Sequence, residues 1–126
     1  MYAKSAKPQE TGKIGEDLAA RFLERLGYII LDRNKRFGKC EIDLICCKDR
    51  VIHFFEVKTR RGLRYGWPEQ HIKPRKIYRM MKAAQAFSDG TDEGSPVQLN
   101  IVSIVIAHPK PPIYYLIEDI GSAYLL

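Results

Sequence analysis

A chain of 126 residues, 45% apolar and 29% charged, suffices for one domain with one core and not comfortably for two. No run approaches the roughly 18 apolar residues of a membrane-spanning helix, and "MYAKSAKPQE" has no apolar stretch behind its lysines, so neither a membrane protein nor a signal peptide is expected. The cytoplasm is the expected compartment. The formal charge of +6 is unevenly spread: residues 58–82 hold nine Lys/Arg against Glu69, and residues 89–126 hold five acids against Lys110. Such a basic middle attracts polyanions, of which nucleic acid is the commonest large one, although a solvated basic helix face accounts for it equally.

Residues 1–11 are polar and contain Pro8, and read as a flexible tail before a single domain over 12–126. From Gly12 to Leu26 the pattern is helical, with Ile14, Leu18, Phe22 and Leu26 recurring every four residues and Ala19 and Leu23 widening the stripe. Gly27 is its stop signal. "YIILDRN", residues 28–34, predicts a strand, and "KRFGK" a loop around Gly38. Two further strands follow at about 41–47 and 51–59, joined by the turn "KDR". Residues 60–71, with two glycines and a proline, read as a loop. A second helix runs from Pro74 to Ser88, with Ile77, Met81, Ala84 and Phe87 as its buried stripe. After the polar connection "SDGTDEGSP" come the β-branched strand 97–107 and a last strand at 113–118. "DIGSAYLL" reads as a short helix or a docked tail.

The order α-β-β-β-α-β-β predicts an α/β sandwich, one sheet with helices packed against it. No glycine-rich phosphate loop joins a strand to a helix, which argues against a nucleotide cofactor. Cys46 and Cys47 are adjacent and Cys40 stands alone; without a CxxC pair or a spaced Cys/His set, free thiols are expected rather than zinc.

The charges of "EIDLICCKDRVIHFFEVKTR" are the anomaly, because packed strands have no need of Asp43, Glu56 and Lys58. Alternation puts Ile52, Phe54, Glu56 and Lys58 on one face of their strand and His53, Phe55, Val57 and Thr59 on the other. Large apolar residues on both faces mark a central strand. A short turn makes the two strands antiparallel neighbours, so an in-phase register brings Asp43 opposite Glu56. Two carboxylates about 5 Å apart repel by roughly 3 kcal/mol at an effective dielectric near 20. Lys58 offsets part of that, and a divalent cation of the Mg²⁺ type offsets it fully.

Asp43, a turn, then Glu56-Val57-Lys58 resembles the D…(D/E)xK motif of the restriction-endonuclease-like nucleases. Over residues 12–107 the chain is similar to the YraN family of small bacterial predicted endonucleases. The residues that carry this are Gly15-Glu16, Asn34, Glu41-Ile42-Asp43-Leu44-Ile45 and Glu56-Val57-Lys58. The resemblance implies a restriction-endonuclease-like fold, a central mixed sheet of about five strands flanked by helices. It implies Mg²⁺ or Mn²⁺ on Asp43 and Glu56, with the Val57 carbonyl as a third ligand. Lys58 would orient or polarise the attacking water, and Glu16 matches a first-helix glutamate brought towards the metal. The wheel puts Glu16 at the flank of the apolar stripe. Two positions depart from the family pattern: Cys40 replaces a glycine, and Asn100 replaces an acid that is a candidate ligand or outer partner.

Arg60, Arg61, Arg64, Tyr65 and Trp67 follow the motif and suit phosphate contact and base stacking; the bland alternative is that Tyr65 and Trp67 cover the core's edge. Lys73 and Lys76, with Arg79, recur at threes along the second helix and suit backbone contacts, with a solvated face as the alternative for each, and Arg36 and Lys39 could extend the patch beside Arg33 and Lys35. His53, His71 and His108 have no spacing that suggests a metal or a general base. Three readings stand open: a metal-dependent endonuclease acting on nucleic acid, DNA before RNA; a catalytically silent nucleic-acid-binding module; and a branched-DNA resolvase, which requires a homodimer.

Overall fold

The structure, a computed structural model, describes residues 8–62, 73–91 and 96–121. Its elements are α1 (Pro8–Arg25), β1 (Ile29–Phe37), β2 (Cys40–Lys48), β3 (Val51–Arg60), α2 (Pro74–Asp89), β4 (Val97–Val105) and β5 (Ile113–Ile117). They form one five-stranded sheet in the order β1-β2-β3-β4-β5, with β3 and β4 parallel and the other pairs antiparallel. This is the expected α/β architecture, a mixed sheet flanked by helices. Only the β3-to-β4 step needs a crossover, and α2 lies within it.

The first helix begins at Pro8 rather than Gly12, so residues 8–11 belong to α1 and not to a tail. A proline opening a helix forfeits only an N–H that has no intrahelical partner there. The far end is closed as expected: the Tyr28 N–H donates to the Leu23 carbonyl and the Gly27 N–H to that of Glu24, each at 3.0 Å, with Gly27 at φ 96°. The buried arc is Gly15, Ala19, Ala20 and Leu23, while Ile14, Leu18 and Phe22 pack at its margins and Leu26 is exposed. Small residues on the inner face let the helix approach the sheet, and the larger ones fill the flanks. In α2 the stripe likewise turns by one position, to Ile77, Met80 and Ala83, with Met81, Ala84 and Phe87 at its edge.

The helices cover opposite faces. Ala19, Ala20 and Leu23 of α1 pack with Leu44, Cys46, Phe55, Val102 and Ile104. Met80 and Ala83 of α2 pack with Cys40, Ile42, Ile45, Phe54 and Leu99. Phe54 and Phe55 are both fully buried, on opposite faces, so β3 is central and covered twice.

β1 runs on to Phe37, and "KRFGK" is the end of a hairpin rather than a loop. As an edge strand β1 is exposed along most of its length, so no apolar alternation marks it in the sequence. Asp49 and Arg50, both at positive φ (52° and 66°), make the tight turn between β2 and β3.

One irregularity positions the site. Cys40 and Ile42 of β2 pack on the α2 side, but Leu44 and Cys46 pack on the α1 side, so alternation breaks at Asp43. In β1 the residue between the partners Arg33↔Leu44 and Lys35↔Ile42 is Asn34, at φ 51°. Asn tolerates this left-handed conformation better than other non-glycine residues do. Both strands therefore turn over together at Asn34 and Asp43.

Candidate functional site

The β2–β3 ladder runs from Lys48↔Val51 to Leu44↔Phe55 and ends there. Its phase, extended by one step, sets Asp43 against Glu56, but the two are not a ladder pair. Beyond Leu44 the strands part and the Asp43 side chain replaces the missing backbone acceptor: the Val57 N–H donates to Asp43 Oδ2 at 2.8 Å. The N–H and C=O of one extended residue project to the same strand edge, so the Val57 carbonyl faces the same opening.

Glu56 follows Phe54 on the α2 face and is 8% exposed. Lys58 Nζ stands 3.5 Å from its Oε1, and Lys76 Nζ, from the first turn of α2, stands 3.1 Å from its Oε2. This buried oxygen has Lys76 as its counter-charge and no hydrogen bond. Burial first, and the charge of Glu56 second, push the Asp43 carboxyl up to about 7. The Val57 N–H and Lys76 act the other way, and Glu16 adds to the rise.

Glu16 is better placed than at a flank. At about 100° per residue it falls between Leu23 and Ala20 on the helix wheel, inside the buried arc. Gly15 sets how near it comes: a Cβ there would lie 1.8 Å from Thr59 Oγ1 on β3. Glu16 lines a cavity of about 470 Å³ with Gly12, Lys13, Asp17, Arg33 and Asn34, and Arg33 and Asp17 form an ion pair across it at 2.7 Å. Among the described residues no three His, Cys, Asp or Glu side chains converge as a metal-holding group. Glu16 bears on Asp43 through its charge.

The basic residues divide. Lys76 is drawn to Glu56 instead of facing solvent. Arg36 pairs with Glu41 at 3.4 Å, Lys39 is exposed in the β1–β2 turn, and Lys73 is exposed just before α2. Arg60 buries its Nε, and Arg61 is exposed beyond the end of β3. Arg64, Tyr65 and Trp67 lie outside the described residues.

Asn100 does not belong to the site. It is fully buried and in register with Phe55, on the α1 face, whereas Glu56 lies on the other. Its amide donates to His53 Nδ1 at 3.0 Å, and its Oδ1 accepts from Gln98 Nε2 at 2.8 Å and from the Asp119 N–H at 3.0 Å. An asparagine here removes no ligand. Cys40 packs in the α2-side cluster, its thiol pushed up chiefly by burial. The roles of Gly15 and Asn34 were not visible in the sequence, because each depends on a residue distant along the chain.

The sequence pattern of the family described as "Uncharacterised protein family UPF0102" matches residues 15–104. A UPF0102 protein of Syntrophomonas wolfei is 43% identical over 111 residues, covering 87% of this chain and 96% of the relative. One from Flavobacterium johnsoniae is 34% identical, covering 94% and 97%. Among solved structures, SfsA of Pyrococcus furiosus in complex with Ca²⁺ is similar with a TM-score of 0.43 at 18% identity. That match covers 86% of this chain and 62% of the other.

Proposed function

The chain belongs to the UPF0102 family, the YraN family that its motifs resemble, and from that premise we propose a metal-dependent endonuclease that hydrolyses phosphodiester bonds of nucleic acid, DNA in the first instance. The observation that carries the reading is the open end of the β2–β3 ladder. Asp43 there is pushed up to about 7, and the buried Glu56 carboxylate adds a second negative charge that Lys58 and Lys76 face.

The donor set fits a hard divalent cation such as Mg²⁺ or Mn²⁺. Two carboxylates and the Val57 carbonyl would be its oxygen ligands, and Mg²⁺ needs only one or two carboxylates because it keeps several waters. The cation supplies charge stabilisation at the phosphoryl oxygens and acidifies water. The chain's own groups do the rest. Lys58, with a side chain 40% exposed, holds a positive charge 3.5 Å from Glu56, where it orients water and offsets charge building on the phosphorus. Asp43 is fixed by the Val57 N–H, so one carboxylate oxygen stays directed. Glu16 adds negative charge from the α1 side.

The test is cleavage of single-stranded, duplex and branched DNA with added Mn²⁺, comparing wild type with Asp43→Ala and Lys58→Ala. Cleavage by wild type that is lost in both variants supports the reading. No cleavage of any substrate, or full activity in both variants, sinks it. The silent binding module rested on Asn100, which lies away from the carboxylates. A resolvase would require a two-fold dimer, and a gel-filtration mass decides that point.

A further inference from the structure

Three buried side-chain polar atoms on one patch lack a hydrogen-bond partner: Glu56 Oε2, Arg60 Nε and Ser103 Oγ. Alternation along β3 puts Glu56, Lys58 and Arg60 on one face, at steps of about 6.6 Å. The parallel register sets Ser103 of β4 directly beside Lys58. The neighbours Val102 and Ile104 point into the α1-side cluster, so Ser103 faces the same side as Glu56. Buried polar groups in native folds nearly always find partners; Glu56 Oε2 has Lys76 as its counter-charge, and the other two, on adjoining strands of one face, call for a common reason.

The cation reading accounts for Glu56 Oε2 and leaves the other two. Both can donate, one of them as a cation; Arg60 lies one two-residue step beyond Lys58, away from Glu56, and Ser103 lies beside Lys58 on β4. We propose that Arg60 and Ser103 form a second phosphodiester subsite, which takes the phosphate next to the scissile one on the same nucleic-acid strand. The proposal rests on the endonuclease reading and extends it. A guanidinium and a hydroxyl suit a phosphodiester, whose oxygens accept charge-assisted bonds. The two-residue step of a strand is of the order of the spacing between adjacent phosphates. Arg60 is partly exposed and meets the strand, while Ser103 has no exposed surface, so its hydroxyl is reached only once the side chains over it move aside.

The experiment measures binding of a fluorescein-labelled single-stranded DNA oligonucleotide in EDTA, so that no cation is required. Variants are Ser103→Ala, Arg60→Gln and Arg60→Lys, each with its thermal midpoint. Ser103→Ala should weaken binding severalfold while its midpoint stays level or rises, because it removes an unpaired buried hydroxyl. A merely structural serine would lower the midpoint and spare binding. Arg60→Gln should weaken binding about tenfold and reduce the salt dependence by about one phosphate contact, with Arg60→Lys keeping the salt slope. Binding and slope unchanged in Ser103→Ala and Arg60→Gln overturn the subsite alone. Wild type that binds no oligonucleotide overturns both readings. Subsite effects present in a protein that gives no calorimetric heat with Mn²⁺ overturn the metal reading and leave the subsite standing.

Discussion

Asp43 Oδ2 accepts the Val57 N–H at 2.8 Å, at the first position where the β2 backbone no longer pairs with β3. A carboxylate thus does the work of a backbone carbonyl, and it brings a charge to the sheet interior. The Val57 carbonyl projects to the same strand edge as the N–H that Asp43 accepts.

Asp43 bears the cost of that arrangement in a pH-dependent way. Its carboxyl is raised from 3.8 to about 7, mainly by burial and then by Glu56. A raised acid binds its proton more tightly in the folded chain, so stability is undiminished below about pH 4 and falls as pH rises to about 7. Asp43→Asn should therefore unfold at a higher temperature than wild type at pH 8, with the gap closing towards pH 4. Mn²⁺ at pH 8 should raise the wild-type midpoint and leave that of the variant unmoved. Thermal melts across pH, with and without Mn²⁺, check both outcomes.

Lys76 occupies the side of Glu56 where a cation would bind. Its side chain is 33% exposed and that of Glu56 11%, so the pair is half screened. Lys76→Met keeps most of the stem and should cost about 1 kcal/mol in EDTA. Millimolar Mn²⁺ should restore the loss, and calorimetry should show severalfold tighter Mn²⁺ binding than in wild type. Binding no tighter than wild type would mean that Lys76 does not compete for the site.

Gly15 fixes the distance between α1 and β3. Alanine improves helix propensity, yet its Cβ would meet Thr59 Oγ1 at 1.8 Å and Thr59 Cβ at 3.0 Å. Gly15→Ala should lose about 1–3 kcal/mol. Adding Thr59→Ala removes the nearer atom and should return part of the loss, a coupling that a double-mutant cycle by urea unfolding would read.

Asn34 is the hinge at which β1 turns over with Asp43. Asn34→Gly should change stability by only a few tenths of a kcal/mol, whereas Asn34→Val at φ 51° should cost about 1–2 kcal/mol. The valine variant should also bind Mn²⁺ more weakly than the glycine variant, because Asp43 is turned by the same irregularity.

How much of this was legible in the sequence varied by residue. The phase of Asp43 with Glu56 and Lys58 was readable, because the short turn at Asp49-Arg50 fixes the hairpin. The splitting of the ladder was not, since alternation alone cannot show where a strand turns over. The inner face of α2 was read one position late, because apolar residues at 80, 81, 83, 84, 86 and 87 support two adjacent stripes. Lys76 read as a solvent-facing cation because nothing local ties it to Glu56, twenty positions earlier. Asn100 looked like a missing acid because its partners His53, Gln98 and Asp119 meet only once β3, β4 and the chain after β5 are assembled.

The parallel pairing of β3 with β4 has a consequence for the chain between them. It obliges the chain to leave the sheet at Arg60 and to return at Val97, with α2 between the two. Lengthening or shortening that segment would re-aim Lys76 and its neighbours without touching the register of any strand. Such a change of length leaves Asp43 and Glu56 at their places in the strands.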